Sequence, residues 1–323
     1  MSKLFYIIIF LYISIPVFAQ QTPLFTQYRE NYSIINPAML SSDYLLREQN
    51  LDVGISLRTQ WTNIDNHPVT QTVKGNFLYE NKGVSVLSGG YLINDKTGPT
   101  SFSAVYGKIG GLLSDDPYWG GISMGLTIGV QQLRVDASQF ITRQDGDILA
   151  IQDQTKIAPD VGFGFYYYKR FDKGWFSEDL VYAGFSVPQV LGINVSFQEG
   201  DDNFDIRRQQ HMNLIAGYYK MLDNNRFIEP SIWLRYVANA PLSLDVNFRY
   251  HVNQSIFFGM GGSIGRTFHF ETGFVIGQQL RIGYGFDYPF NTIGPVGRST
   301  HEINLSFAMI LLVTLMRLLI LYL

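Results

Sequence analysis

The chain has 323 residues, of which 46% are apolar and only 16% charged, with a formal net charge of -3 and no cysteine. These figures exclude disulfide scaffolds, thiol nucleophiles and thiolate metal sites, and they offer no sustained basic face for non-specific nucleic-acid binding. Mean hydropathy near zero is too low for a bundle of apolar membrane helices, and 15% aromatic content is too high for a disordered chain.

Residues 1–19 read as a signal peptide. Lys3 precedes the apolar run Leu4 to Ile15, and Ala19 supplies a small-residue exit, so the mature chain is expected to begin near Gln20. Residues 20–50 lack the pattern that follows and form an N-terminal arm or plug-like segment. They carry Phe25, Tyr28, Tyr32, Asn36, Pro37 and Ala38.

From residue 51 the chain alternates. Leu51, Val53, Ile55 and Leu57 share one face, while Asp52, Gly54, Ser56 and Arg58 share the other. A period of two is the signature of a strand. Strands are predicted over 51–61, 70–80, 84–93, 100–110, 121–132, 158–169 and 178–187. Seven more follow over 209–220, 226–237, 241–251, 255–265, 268–277, 280–288 and 300–308. The pattern is cleanest at 242–250 (LSLDVNFRY) and at 122–131, where Ile122, Met124, Leu126, Ile128 and Val130 alternate with small or polar residues.

Fourteen strands with apolar outer faces predict an all-β, transmembrane antiparallel β-barrel over 51–308. Lipid would meet the outer face, and closure would satisfy each strand's backbone. A signal-led chain with an even strand count has both barrel ends on the periplasmic side. The long connections 133–157, 188–208 and 289–299 then lie outside, whereas Glu80 to Gly83 and Leu222 to Asn225 suit tight turns. After Phe307 the alternation stops, and residues 309–323 form an atypical apolar tail, interrupted by Arg317, outside the barrel pattern.

Chemistry-bearing patterns are weak. His67, His211, His251, His269 and His301 show no compact metal-ligand spacing, and no GxSxG elbow is present. Gly259 to Gly265 is glycine-rich but lacks the lysine and the strand–turn–helix context of a phosphate-binding loop. No enzyme, cofactor or metal site is expected. Arg58, Arg235, Arg249 and Arg281 fall on predicted inward faces with Asp52, Asp245, Glu271 and Asp287 as countercharges. Such a network braces a barrel, seats a plug or lines a pore.

Several phrases stand in order along the chain. Gln21-Thr22-Pro23-Leu24-Phe25-Thr26-Gln27-Tyr28 is followed by Asn36-Pro37-Ala38 and then Arg58-Thr59-Gln60-Trp61. Pro230-Ser231, Pro241 and Asp245-Val246-Asn247 come later, then Leu280 to Asp287 (LRIGYGFD) and His301 to Phe307 (HEINLSF). In this combination, over about 20–308, the chain resembles the PorP/SprF family of Bacteroidetes outer-membrane proteins.

That resemblance implies a noncatalytic partner in type IX protein secretion, located in the outer membrane and linked in some members to gliding motility. It implies large secreted proteins or adhesins with a C-terminal sorting domain as partners, along with other type IX components and outer-membrane lipid, and no nucleic acid. It points to Phe25, Tyr28, Asn36 and Pro37 for ordering the N-terminal arm. Arg58, Trp61, Arg281, Asp287 and Glu302 become candidates for barrel, plug or partner contacts. The alternative function is an outer-membrane channel for small solutes. The family normally ends near the last aromatic strand, so the tail is a departure from it.

Overall fold

The computed structural model describes residues 25–136, 153–171, 178–199, 202–223, 225–238, 240–290 and 299–311. The expected signal peptide, residues 20–24 and the tail from 312 onward lie outside the described residues, as do 137–152 and 291–298 within two of the long connections.

Fourteen antiparallel strands close into one barrel. The first six are β1 (Leu51–Gln60), β2 (Val69–Tyr79), β3 (Gly83–Thr97), β4 (Thr100–Ser114), β5 (Gly120–Val135) and β6 (Gln154–Arg170). β7 (Leu180–Val187) leads into a separate two-stranded ribbon, β8 (Ile193–Glu199) and β9 (Asp202–Arg208). The barrel resumes with β10 (His211–Met221), β11 (Phe227–Val237), β12 (Ser243–Asn253) and β13 (Ile256–Ser263), then β14 (Thr267–Ile276), β15 (Leu280–Pro289) and β16 (Thr300–Met309). β16 pairs with β1 from Leu51↔Met309 to Gln60↔Thr300, which leaves no free barrel edge. Within hydrocarbon each unpaired backbone group costs several kcal/mol, so closure is what makes these strands stable there.

Burial runs opposite to that of a soluble protein. Val53, Ile55 and Leu57 are exposed on β1 while Asp52, Ser56 and Arg58 are buried. On β5, Ile122, Met124, Leu126, Ile128 and Val130 are exposed, whereas Ser123, Thr127 and Gln131 are buried. The apolar face is therefore the lipid face and the polar face is the interior.

The two ends of the barrel differ. Short turns at 80–82, 254–255 and 277–279 lie at one end, here the turn end. In the last of these, Gln279 N–H donates to the Ile276 carbonyl at 3.3 Å, and both central residues, Gly277 (φ 61°) and Gln278 (φ 63°), are left-handed. That is the backbone of a primed hairpin turn, whose twist matches the strands it joins. The opposite, loop end carries the connections 61–68, 136–153, 188–210 and 290–299.

Two expectations need correction. The stretch 188–208, read as a loop, contains the β8–β9 ribbon, registered from Ile193↔Arg208 to Glu199↔Asp202. Seven-residue strands that pair only with each other carry too little alternation to separate from a polar loop. Strand β4 also runs farther toward the turn end than expected, and strands β3, β5 and β6 run farther toward the loop end. There the outer face turns polar, and Ser103 donates to Asn94 at 2.8 Å, which donates to Gln71 at 3.4 Å. Backbone pairing continues past the point where apolar alternation ends.

The N-terminal segment occupies the lumen. It holds two short helices, α1 (Tyr32–Ile35) and α2 (Ser42–Arg47). At the turn end Asn50 meets the chain just past β16, donating to the Leu311 carbonyl at 3.1 Å and accepting from Leu311 N–H at 2.7 Å. Among the described residues no helix is long and apolar enough to cross a membrane.

Candidate functional site

The candidate site is the interface between the luminal segment 25–50 and the inner wall. α2 begins at Ser41, whose hydroxyl accepts the Tyr44 N–H at 3.0 Å, an N-cap that satisfies one orphan donor. The helix ends at Glu48 in the left-handed region (φ 57°). Its base rests on a layer of rings. Tyr168, Tyr166, Tyr182, Tyr219, Phe227, His251 and Phe257 contact one another in succession, with centroids 3.8–6.1 Å apart. Arg170 donates to the Leu45 carbonyl at 2.5 Å, and Tyr219 donates to Ser42 at 3.2 Å.

Charged side chains run through the middle in strict alternation of sign. Glu229 meets Arg29 at 2.6 Å, and Arg29 meets Glu271 at 3.4 Å. Glu271 is gripped by Arg249, whose Nε and Nη2 donate at 2.8 and 2.7 Å. Arg249 reaches Glu30 at 3.1 Å, Glu30 meets Arg281 at 3.1 Å, Arg281 meets Asp43 at 2.5 Å, and Asp43 meets Arg47 at 3.1 Å. Wall and segment contribute to both signs, and the eight charges cancel. A buried charge left without its partner is costly, so each member holds its neighbours in place.

A second cluster fastens the segment near the loop end. Arg58 on β1 bonds Asp287 on β15 at 2.7 Å and Glu302 on β16 at 3.2 Å. The same carboxylates receive the segment: Thr26 N–H donates to Glu302 and Thr26 Oγ1 to Asp287, both at 2.7 Å. Gln27 N–H donates to Glu302 at 3.3 Å, and Asn304 donates to the Gln27 side chain at 2.6 Å.

Inward-facing glycines let the segment approach the wall closely. Asn36 donates through Nδ2 to the Phe165 carbonyl at 3.0 Å and to the Phe185 carbonyl at 3.4 Å, on β6 and β7. Its Oδ1 accepts Ala38 N–H at 2.9 Å, folding the Asn-Pro-Ala turn on itself. A side chain at Gly164 would overlap Asn36 Oδ1, one at Gly125 would overlap the Pro37 carbonyl, and one at Gly184 would lie 2.7 Å from Asn36 Nδ2. Gly283 and Gly285 do the same for Gln27 and Thr26, at 2.5 and 2.9 Å. The segment is thus keyed into two glycine grooves on opposite walls.

The profile of the family described as type IX secretion system membrane protein PorP/SprF matches residues 17–307 of this chain. The chain belongs to that family. No curated protein sequence matches it. Among solved structures, it is similar to a TodX deltaS2S3 mutant described as a monoaromatic hydrocarbon channel, at 10% identity and a TM-score of 0.53. That likeness covers 87% of this chain and 94% of the other. It is also similar to the toluene transporter TbuX of Ralstonia pickettii, at 9% identity and a TM-score of 0.51, covering 85% of this chain and 92% of that one. At such identities the barrel fold is what is shared. As a PorP/SprF barrel, the protein is an outer-membrane protein.

In this PorP/SprF barrel the singled-out residues fall into place unevenly. Asn36 and Pro37 sit in the β5–β7 groove, and Arg58, Asp287 and Glu302 form the loop-end cluster. Arg281 links Glu30 to Asp43. Tyr28 is buried against Trp233 at 5.4 Å with its hydroxyl on Ser231, and Phe25 is buried beside Tyr91, Phe102 and Trp233. Trp61 stands apart at the loop-end rim. It is half-exposed with φ 57°, and its N–H donates to Thr300 at 3.4 Å. Arg235 pairs with Asp245 at 2.6 Å rather than with the segment.

Arg29, Glu30, Asp43 and Arg47, the segment's own members of the charge chain, were not singled out, nor was Glu229. Part of their signal was available: charges in a segment otherwise rich in apolar and aromatic residues need opposite charges around them. Among the described residues no group of three or more His, Asp or Glu has metal-binding geometry.

Proposed function

We propose that this protein is a noncatalytic outer-membrane partner in type IX secretion that helps large surface proteins or adhesins leave the cell or stay attached to it, in a role linked to gliding motility. The family membership carries this reading. The filled lumen supports it, because the luminal segment and the wall bury each other's polar groups along the barrel axis. A barrel built this way has its axis occupied by the segment and does not offer a wide aqueous path. Docking would use the loop end, facing outward, with Trp61 and neighbouring arginines as the kind of anchors that dominate interfaces.

The channel reading draws on the hydrocarbon channels whose fold it shares, and that likeness extends to fold alone. Deleting the gene and following display of exported surface proteins tests the choice. Loss of display of a protein bearing a C-terminal sorting domain, with unchanged uptake of small solutes, supports docking. Normal display with impaired solute uptake overturns it.

A further inference from the structure

The outer face of the barrel changes around its circumference. On β11 to β15 it stays apolar to the loop ends of the strands, where Tyr236, Leu242, Ile264, Phe268, Tyr288 and Phe290 are exposed. On β2 to β5 it passes through three cross-strand rows of different chemistry. The first row is apolar: Val73, Leu92, Val105 and Val130 are register partners in turn, and all four are exposed. Two residues nearer the loop end, the row reads Gln71, Asn94, Ser103 and Gln132. It is neutral and hydrogen-bonded, with Asn94 donating to Gln71 and Ser103 to Asn94. Two residues further on, the row reads Val69, Lys96, Ser101 and Arg134, with two cations and no anion. The first two rows border an outer-face groove of about 410 Å³, extended onto β6 by the exposed Ile157.

We propose that this wall binds a phosphorylated, acylated glycolipid of the outer leaflet. An acyl chain fills the groove, sugar hydroxyls and amides meet the neutral row, and a phosphate sits between Lys96 and Arg134. The groove is continuous with the lipid-facing surface, so its occupant is hydrocarbon at one end, and the cations above it select an anionic headgroup. From apolar to basic row each strand advances four residues, roughly 13 Å. Lys96 and Arg134 stand on β3 and β5, two strand spacings or roughly 9–10 Å apart, so both long side chains can close on one phosphoryl group. Arg134 supplies a planar fork and Lys96 a point charge, both suited to phosphate. Asp153 approaches Arg134 at 3.5 Å, but both side chains are exposed, and such a pair is weak enough for a phosphate to displace. The inference rests on the proposed orientation, which puts the loop end, and with it this headgroup site, in the outer leaflet.

The test uses the full-length protein, purified in detergent and stripped of lipid. It is titrated with monophosphoryl lipid A or with the same lipid after dephosphorylation, and bound lipid is counted by native mass spectrometry. Wild type is expected to prefer the phosphorylated lipid by roughly 10–30-fold, the attraction of two cations for one headgroup. The double variant Lys96→Gln/Arg134→Gln should lose that preference, whereas Lys82→Gln in an exposed turn-end turn should keep it. Heat-dependent gel migration establishes that each variant is a folded barrel. Equal retention of the two lipids by wild type, or an unchanged preference in the double variant, overturns the inference. Displacement of the lipid by an equal concentration of inorganic phosphate also overturns it, since the site would then hold a bare anion. Orientation is read separately from Asp65→Cys in the 61–68 connection, the protein having no native cysteine, with a membrane-impermeant maleimide on intact cells. Labelling on intact cells without a lipid preference overturns the lipid site and leaves the orientation standing. Labelling only after lysis overturns the orientation and the assigned leaflet, even where the preference holds.

Discussion

Glu30 of the luminal segment and Arg281 of β15 meet at 3.1 Å, 251 residues apart in sequence, with both side chains buried. Arg281 continues to Asp43 and Glu30 to Arg249, so this one contact joins both helical regions of the segment to two strands. Removing one partner of such a buried pair costs roughly 3–5 kcal/mol. Arg281→Ala is expected to lower stability by about that amount and to open residues 25–50 to protease in detergent. A double-mutant cycle with Glu30→Gln should show strong coupling, because the two share one network.

The glycine groove makes a steric prediction. Gly164→Ala places a methyl on Asn36 and should cost about 1–3 kcal/mol by overpacking. Gly107→Ala, where an added Cβ meets only the Ile128 carbonyl at 3.8 Å, serves as the control and should be near neutral. Thermal unfolding followed by gel mobility compares the two.

Asn36→Ala removes the donor to two β-strand carbonyls and the acceptor that folds the Asn-Pro-Ala turn. The expected loss is about 1–3 kcal/mol, the penalty for leaving buried groups unpaired. Protease protection of the luminal segment should fall before the barrel itself unfolds.

The barrel was legible because lipid on one side and a packed lumen on the other impose a period of two on every strand. Ile122 to Val130 shows this without any structure. The ribbon at 193–208 was not legible, since two short strands that pair only with each other face no such constraint. Arg58, Arg281, Asp287 and Glu302 could be named from the family resemblance, and the first three from inward position as well. The charges of Glu30 and Asp43 called for partners, but which partners, and the role of Thr26, could not be read, because irregular backbone has no period that tells which side chain faces which wall. Gly125, Gly164 and Gly184 read as ordinary strand glycines until Asn36 and Pro37 are seen against them.

The central claim is that the barrel docks an exported protein. The most direct measurement is affinity recovery of the tagged full-length protein from detergent-solubilised outer membranes, in cells whose exported proteins carry or lack their C-terminal sorting domain. Co-recovery of a large surface protein that disappears when its sorting domain is deleted is the expected result. Recovery of the barrel without such a protein, together with solute flux through the purified barrel in liposomes, would contradict it.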